Sequence, residues 1–393
     1  MTLVSSDAPV REPVDRVPTP AVTVVVATFN RLDSLMWLLD DLGAQAGVRG
    51  GFDVVIVDDG STLAVETDVM ARPRPFAVRV IRQDNAGPSV ARDVGIRTSN
   101  AEIIVIVDDD MVVAPDFVAA HQRDHENGVA VVLGLIRAPR SPQDAPSVSL
   151  FERFHQDSLD RFVAAYRSGR AVVDGTRLCT GNVSFLRQAY VDVGGFDRSL
   201  IRCEDRDLGI RFEAAGYGFS FTEEGWSDHR SDHVDVATWR RRSALYGSLD
   251  LTISAKHPGR PQVSPWAFLP RLPLIARPVV VVSAMMPAIG RQIAAVAYRV
   301  GQLIERREPR LAIVGASLCY GCDYYSGVGD AISVSSGAGP DRALTGVRRI
   351  RRVAGALVAH RRETRAIHGQ GVSASDQRPP ETSTASGAAV THT

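Results

Sequence analysis

The chain of 393 residues has few cysteines and no excess of charge of either sign. Four cysteines in a chain of this length do not make the disulfide framework of a small secreted domain. The 45 Lys and Arg residues balance 45 Asp and Glu residues, giving a net charge of zero. That balance argues against a general nucleic-acid-binding protein, which needs a basic surface to displace counterions from phosphates. Lysine is nearly absent, Lys256 being the single one, and we attribute this bias to genome composition.

The N-terminal segment lacks the apolar stretch of a secretory signal peptide. Residues 1–20 are polar and rich in proline, so we expect a flexible arm there. Residues 362–393 are rich in Ser, Thr, Gly and Ala, a composition that predicts a disordered tail. Cys319 and Cys322 form a C-x-x-C pair without a second pair that could complete a zinc site, and we expect incidental thiols. These features predict a cytoplasmic protein, with the inner face of the cell membrane as the alternative location.

Short runs of β-branched residues alternate with helical segments in the N-terminal half of the chain. Strands buried on both faces are predicted over residues 21–27, 53–57, 76–82 and 103–107. Strand–helix–strand order of this kind is typical of an α/β fold, with a mainly parallel sheet flanked by helices. We expect this domain to occupy residues 21–255.

Beyond the predicted α/β domain, residues 256–361 are expected to form a helical extension. Residues 272–289 are strongly apolar, but Pro273, Pro278 and Pro287 interrupt them. A membrane span needs about 20 consecutive apolar residues, so this segment falls short of one. Three interpretations stay open: peripheral membrane contact through residues 265–305, a true span, and a packing or dimer helix.

Acidic side chains directly follow two of the predicted strands. Asp58 and Asp59 end one strand, and Asp108-Asp109-Asp110 follow another. In an open parallel sheet, ligands bind beyond the carboxyl ends of the strands. Carboxylates gathered there repel one another unless a cation neutralises them. Because Asp108 and Asp110 are one residue apart, we predict that they bind Mg²⁺ or Mn²⁺, hard ions that prefer oxygen ligands.

Further polar residues suggest how a nucleotide could be bound and a reaction catalysed. Asp59 could accept hydrogen bonds from a base or ribose, and Arg92 could approach phosphates from its predicted helix. Glu204 and Asp205 begin another predicted helix, where a carboxylate could act as a general base. His229 and His233 lie in one short stretch, W-S-D-H-R-S-D-H. Either imidazole could bind the metal, and we favour His233.

Seven segments, in order, carry a family resemblance: VVVATFNR, VVIVDDGST, NAGPSVARDVGI, VIVDDDMVVAPDF, GNVSFLR, VGGFD and CEDRDLGIRFEAAGYGF. Together they resemble the family 2 glycosyltransferases of the GT-A fold over about residues 20–250. The resemblance implies a nucleotide-sugar donor, a divalent metal and an inverting single displacement. It also implies a GT-A (nucleotide-diphospho-sugar transferase) sheet followed by a C-terminal helical extension.

The resemblance assigns roles residue by residue. Asp108 and Asp110 correspond to the family's D-x-D metal ligands, Asp205 to the catalytic base and Glu204 to its neighbour. Ala27, Phe29 and Asp59 would line the base pocket, and Arg92 would lie near the diphosphate. The full set implied at the nucleotide sugar is Ala27, Phe29, Asn30, Arg31, Asp59, Arg92, Asp109, Gly181 and Asn182.

The chain departs from the processive members of that family. Their Q-x-x-R-W signature and their several clear membrane spans are absent from this sequence. We therefore expect transfer of one or a few sugars, with a UDP-sugar favoured as donor and a lipid-linked or cell-envelope glycan as acceptor. A sugar-phosphate nucleotidyltransferase is disfavoured, because the expected Gly-rich loop reads T-F-N-R. A non-catalytic scaffold on the same fold is disfavoured because both acidic motifs are retained.

Overall fold

The structure is a computed structural model that describes residues 21–137, 149–200, 202–229, 235–334 and 346–374. The predicted flexible arm over residues 1–20 and His233, the predicted metal ligand, lie outside the described residues. The chain divides into two compact units, with the boundary between Val236 and Ala237.

The first unit is built on one eight-stranded sheet. The strand order across the sheet is β3-β2-β1-β4-β7-β6-β8-β5. The strands are β1 (Val22–Thr28), β2 (Phe52–Asp58), β3 (Ala77–Arg82), β4 (Ile103–Val107), β5 (Met111–Val113), β6 (Val131–Arg137), β7 (Asn182–Leu186) and β8 (Phe219–His229). The four strands predicted from the β-branched runs are thus present, but β3 is an edge strand whose residues are half-buried or exposed, so its predicted burial on both faces is wrong.

Strand direction changes halfway across the sheet. Strands β3, β2, β1 and β4 are parallel neighbours, and β6 and β8 are also parallel. The pairs β4–β7, β6–β7 and β5–β8 are antiparallel. The sheet is therefore mixed: its N-terminal half has the predicted parallel arrangement, and its second half contains the antiparallel pairs.

Among the described residues of this unit, seven helices flank or connect the strands. They are α1 (Leu32–Gly43), α2 (Glu66–Met70), α3 (Pro88–Thr98), α4 (Phe117–Glu126), α5 (Leu150–Arg167), α6 (Arg187–Asp192) and α7 (Glu204–Ala214), with a 3₁₀ turn at Gly175–Arg177. Alternate residues of the central strands pack on opposite sides. Val24 and Val26 belong to one buried cluster with residues of α1 and α4, whereas Val25 packs in another with residues of α3 and α7. This two-sided burial explains why the central strands lack polar alternation.

The second unit is helical. Its helices are α8 (Val236–Lys256), α9 (Ala276–Met285), α10 (Pro287–Ile304), α11 (Pro309–Val334) and α12 (Gly346–Ala374), with 3₁₀ turns at Pro261–Val263 and Pro265–Arg271. Helix α12 extends past Arg362, where the sequence predicts the tail to begin, and residues 375–393 lie outside the described part. Of the helices that the structure describes, none combines the length and apolar character needed to cross a membrane. Cys319 and Cys322 are buried within α11.

Candidate active site

The carboxyl end of β4 lies beside the start of β7. Val107 pairs with Asn182 across the antiparallel ladder, so Asp108 comes next to Gly181. A Cβ atom built on Gly181 would lie 3.3 Å from Asp108 Oδ2 and 2.7 Å from Met111 Cε. The absence of a side chain at Gly181 therefore keeps the space around the Asp108 carboxylate open, as its predicted place near the donor sugar requires.

Arg92 connects the two acidic motifs. Its guanidinium donates to Asp108 Oδ1 at 2.6 Å and to Glu204 Oε1 at 3.1 Å. Arg92 and Glu204 are both 7% exposed, and Asp108 is partly exposed. Helix α3, the end of β4 and the start of α7 thus contribute to one charged network, although the three residues span 112 positions of sequence.

Asp205 lies beside this network at the first turn of α7. Burial, followed by the charge of Glu204, raises the pKa of Asp205 to about 6, and Asp108 contributes in the same direction. The backbone N–H of Arg206 and the charge of Arg92 act in the opposite direction. A carboxylate with a pKa near 6 is ionised at neutral pH, yet it is a stronger base than an ordinary aspartate.

The second half of the acidic triplet is held by β1. Arg31 donates to Asp110 Oδ2 at 2.6 Å and to Asp109 Oδ1 at 3.3 Å, and the Thr28 hydroxyl donates to Asp109 Oδ2 at 2.7 Å. Burial raises the pKa of Asp109 to about 6. The triplet therefore has divided roles, because Asp109 anchors β4 to β1 while Asp108 and Asp110 are held by arginines at the site.

His229, the last residue of β8, lies next to Asp110. Its Nδ1 is 3.7 Å from Asp110 Oδ1 and is buried, with no hydrogen-bond partner among the described residues. The structure thus brings His229, the histidine that the sequence ranked second, to the acidic site, whereas His233 lies outside the described residues. Over the described ranges, no group of three His, Cys, Asp or Glu side chains is already gathered as a metal site.

Asp59 is placed differently from its predicted role at the base. It is 4% exposed, and its Oδ1 accepts from Gln83 Nε2 at 2.7 Å and from the Ala86 N–H at 2.9 Å. Its Oδ2 accepts from the Gly87 N–H at 2.9 Å. Asp59 therefore orders the loop that leads into α3 and so positions Arg92, while direct contact with a nucleobase stays a prediction.

A cavity of about 570 Å³ opens beyond the carboxyl ends of β1 and β2. Its volume lies within the range of small-molecule sites. Asn30 has a left-handed backbone with φ of 55°, and its N–H donates to Ser61 Oγ at 2.9 Å. Ala27 is half-buried against Val55 and Val57, and the Phe29 ring is 46% exposed. The residues that line the cavity are Asn30, Arg31, Leu32, Asp33, Ser34, Ser61, Thr62, Leu63 and Val65.

Sequence reasoning missed Ser61, Thr62 and Leu63 as lining residues. They directly follow Asp58-Asp59-Gly60, whose turn carries the chain around the cavity, and Ser61 belongs to the D-D-G-S-T segment of the resemblance. Asp58 fixes this turn by accepting from the Ser61 N–H at 2.9 Å and from Arg82. Placement after a paired-aspartate turn was the signal that could have identified them.

Asn182 is buried and does not face the acidic site. Its Nδ2 donates to Gly225 O at 2.8 Å, to Ser227 Oγ at 3.1 Å and to Leu135 O at 3.3 Å. Its Oδ1 lies 2.8 Å from His121 Nε2. These bonds show a structural role for Asn182, joining β6, β7, β8 and α4 behind the site, and contact with the sugar stays a prediction.

Two buried histidines continue this polar network. His121 Nδ1 and His125 Nε2 lie 2.8 Å and 2.7 Å from the same Ser184 Oγ. Burial lowers the pKa of His121 to about 3 and that of His125 to about 4. Both imidazoles are therefore neutral at physiological pH, and they belong to the packing of α4 on β7. The sequence offered no signal for this network.

Comparison with known proteins agrees with this architecture. A mannosyltransferase from Pyrobaculum calidifontis, solved in complex with GDP-Man and Mn²⁺, superposes with a TM-score of 0.53 and 18% identity, over 80% of this chain and 90% of that chain. Validoxylamine A glucosyltransferase from Streptomyces hygroscopicus is 27% identical over 265 residues, 61% of this chain and 61% of that protein. The succinoglycan biosynthesis protein ExoO from Rhizobium meliloti is 40% identical over 104 residues, 26% of this chain and 28% of that protein.

The mixed sheet with acidic residues at its carboxyl edge defines a domain of the GT-A fold. The family model described as Glycosyl transferase family 2 matches residues 23–163, which lie within this domain. The chain spans less than two thirds of the length of these curated relatives, 61% of the first and 28% of the second.

Proposed function

We propose that this protein is an inverting glycosyltransferase that moves a sugar from a nucleotide-diphosphate donor to an acceptor hydroxyl. The observation that carries the proposal is the bridge that Arg92 makes between Asp108 and Glu204. It brings the acidic triplet after β4 and the acidic pair that begins α7 into one site. A leaving diphosphate and an attacking hydroxyl need these two kinds of group close together.

The chemistry of the side chains at this site suits a divalent cation, although over the described residues they are not already gathered around one metal position. Asp108 and Asp110 supply carboxylate oxygens, and His229 supplies a buried ring nitrogen with no hydrogen-bond partner among the described residues, 3.7 Å from Asp110. Mg²⁺ and Mn²⁺ accept such ligands, and we propose these three side chains as the ones that hold the metal. When bound, the metal would neutralise charge on the donor diphosphate as the bond to the sugar breaks.

Asp205 is the proposed general base. Its raised pKa suits removal of a proton from an acceptor hydroxyl at neutral pH. Deprotonated acceptor oxygen then attacks the anomeric carbon from the face opposite the nucleotide, so an α-linked donor yields a β-linked product. Glu204 keeps Arg92 in place through its ion pair, and Arg92 offsets the negative charge next to the base.

The donor is proposed to occupy the cavity beyond β1 and β2. Asn30, Arg31 and Ser61 line it with polar atoms suited to ribose and phosphate groups. A UDP-sugar is favoured by the family resemblance, and the structurally similar archaeal mannosyltransferase, which binds GDP-Man and Mn²⁺, makes GDP-mannose the second donor to test. The roles of Ala27, Phe29, Asp59 and Asp109 near the nucleotide belong to the same proposal.

The acceptor is proposed to be a lipid-linked or cell-envelope glycan that receives one or a few sugars. Support comes from the similarity to the succinoglycan biosynthesis protein and from the absence of a Q-x-x-R-W segment in this sequence. The similarity to the validoxylamine A enzyme makes validoxylamine A a second acceptor to test. The two relatives act in different processes, so both acceptor types belong in one screen.

Peripheral contact with the inner face of the cell membrane is proposed for the segment around α9 and α10. Leu274 and Ile275, just before α9, are 77% and 84% exposed. An exposed apolar stripe on α10 lies next to exposed arginines, an arrangement that suits anionic head groups. The stripe comprises Ile289, Val296, Val300 and Leu303, and the arginines are Arg299, Arg306 and Arg307. Leu303→Asp should weaken co-sedimentation with vesicles of anionic phospholipid, and equal sedimentation of variant and parent would refute the contact.

Calorimetry with Mn²⁺ and a panel of nucleotide sugars tests the central proposal. We expect one UDP- or GDP-sugar to bind only when Mn²⁺ is present. Asp110→Ala should abolish this metal-dependent binding, because it removes one of the three proposed ligands. Asp116→Ala is a suitable control, since Asp116 follows the same triplet but lies at the exposed end of α4. Unchanged donor binding by Asp110→Ala would refute the metal site.

Release of nucleotide diphosphate separates the proposal from the two alternatives. A glycosyltransferase should slowly hydrolyse its donor without acceptor and release the nucleoside diphosphate. A non-catalytic scaffold releases none, and a sugar-phosphate nucleotidyltransferase would instead consume a nucleoside triphosphate and release pyrophosphate.

A further inference from the structure

A second cavity, of about 160 Å³, lies on the other side of the β7 start from the donor cavity. It opens between α5, the 3₁₀ turn at Gly175–Arg177, and strands β6 and β8. Nothing in the proposed mechanism uses it. Its lining residues are Leu133, Gly134, Ile136, Leu159, Phe162, Arg177, Cys179, Asn182 and Phe221.

Aromatic residues form one wall of this cavity. The rings of Phe162 and Phe221 meet edge to face with centroids 5.4 Å apart, and Tyr166 packs on Phe221 at 5.1 Å. The Arg177 guanidinium stacks over Phe162 at 4.0 Å. Leu159 and Phe162 retain partial exposure, so this wall is open to a ligand and is held in a fixed shape by its neighbours.

The polar inventory of the cavity is small. Asn182 is the one side-chain amide that lines the cavity. Its Nδ2 and Oδ1 atoms already make their polar contacts with other protein groups. Arg177 is the one charged residue of the lining. A pyranose ring carries several hydroxyl groups, and a site that pairs few of them leaves the others desolvated at a cost. The lining therefore favours an apolar group over a sugar ring.

The cavity adjoins the proposed base through the Cys179–Asn182 turn. The Asn182 N–H donates to Cys179 O at 3.2 Å and closes this turn, which includes Gly181, the residue next to Asp108. Cys179, which lines the cavity, therefore lies in the same turn as Gly181, whose backbone is next to the Asp108 carboxylate.

A close backbone contact holds the 3₁₀ turn that lines the cavity against α7, the helix that carries the proposed base. A Cβ on Gly175 would lie 2.0 Å from Gly209 O, and a Cβ on Gly209 would lie 2.1 Å from Gly175 O. Only glycine at both positions lets the 3₁₀ turn approach α7 so closely. The turn carries Arg177, and α7 begins with Glu204 and Asp205, so their separation is set by rigid packing.

We propose that this cavity is an acceptor subsite that binds an apolar alkyl or aryl group carried next to the reacting hydroxyl. The proposal rests on the proposed glycosyltransferase function and specifies its acceptor as a molecule with a hydrophobic portion. A cavity of about 150 Å³ lined by Leu, Ile and Phe is known to hold one benzene ring, so the subsite accommodates about one ring or a short branched alkyl segment.

Two acceptor probes that differ only in this group test the subsite. Binding of methyl and phenyl β-D-glucopyranoside is measured by ligand-observed NMR in the presence of Mn²⁺ and the nucleoside diphosphate. We expect the phenyl compound to bind about 10-fold to 100-fold more tightly, the gain from burying one ring-sized apolar group. Contacts from the phenyl protons to the Leu159 methyl groups should appear in the parent protein, which makes this measurement independent of any variant.

Leu159→Trp fills the cavity and should remove the phenyl preference. Ala164→Trp is the matched control, because Ala164 is exposed on the same helix and does not line the cavity. Phe162→Ala widens the cavity and should shift the preference toward a naphthyl glucoside. Equal binding of both probes to the parent, or a phenyl preference that survives Leu159→Trp, would overturn the subsite.

Donor hydrolysis is followed in the same samples. All three variants should keep the parent rate, because none of the substituted residues lies in the donor cavity or among the acidic residues. A parent protein that hydrolyses the donor but shows no phenyl preference refutes the subsite alone. Absence of hydrolysis in the parent refutes the glycosyltransferase proposal itself.

Discussion

Replacing Asp205 with asparagine removes the proposed base while it keeps the size and shape of the side chain. Positioned base catalysis typically contributes about 10²-fold to 10⁴-fold to a rate, and turnover should fall by that factor. Donor binding should survive, since the metal ligands and the donor cavity lie on other elements. The lost negative charge also relieves the repulsion that Glu204 and Asp108 exert at this position, so the variant should be at least as stable as the parent.

The pH dependence gives the same prediction a second, independent form. The raised pKa of Asp205, about 6, means that the base is ionised above pH 6 and protonated below it. The parent kcat/KM should therefore fall as pH drops through 6, to about one tenth of its plateau at pH 5. Because the charge of Asp108 helps to raise this pKa, saturating Mn²⁺ should move the midpoint to lower pH.

The assay is steady-state transfer to the best acceptor, measured between pH 4.5 and 8.5 for parent and variant. The Asp205→Asn variant should have a low turnover rate and should no longer show the fall in kcat/KM at acid pH (the acid limb of the profile). Asp207→Asn is the control on the same helix, because Asp207 is ion-paired with Arg211 at 2.9 Å and has no proposed catalytic role, so it should keep the limb. A fully active Asp205→Asn, or an acid limb that persists in it, would refute the assignment.

Three further predictions address the surroundings of the base. Arg92→Met leaves Asp108 and Glu204 without their shared partner and should lower the unfolding free energy by about 3 kcal/mol. This is the lower end for a broken buried ion pair, because Asp108 is partly exposed. Mn²⁺ should raise the Tm of this variant more than that of the parent, and no loss of stability would contradict the bridge. Gly181→Val places atoms against the Asp108 carboxylate and should weaken Mn²⁺-dependent donor binding in calorimetry, with unchanged affinity as the contrary result. Burial lowers the pKa of His125 to about 4 and that of His121 to about 3, from the usual 6.5, so the unfolded chain gains protons that the fold excludes. Stability should fall as pH drops from 6.5 toward 4, with roughly 3 kcal/mol of the fall due to His125. His125→Gln should make this part of the curve less steep in denaturant titrations, and an unaltered curve would exclude His125 as a contributor.

Much of the fold and the acidic site could be predicted from the sequence because those signals are local. Continuous β-branched runs predict strands, and the four predicted from them are present, although the edge strand β3 is not buried on both faces. Residues that directly follow such strands reach the same sheet edge whatever the rest of the chain does. This reasoning placed Asp108 and Asp110 at that edge, and strand alternation together with the motif order indicated the GT-A fold.

What lay beyond the sequence depends on contacts between distant segments. Four features join residues that are 24 or more positions apart in the sequence. They are the antiparallel pairing of β7 with β4, the bridge from Arg92 to Glu204, the hydrogen bonds of Asp59 to the loop before α3, and the position of His229 beside Asp110. Side-chain orientation at such positions follows from the packing of whole elements, which periodicity does not encode. Local sequence thus determined which chemical groups reach the edge of the sheet. The tertiary structure decided which of them face one another, because a carboxylate or imidazole takes its role from the charge and burial around it.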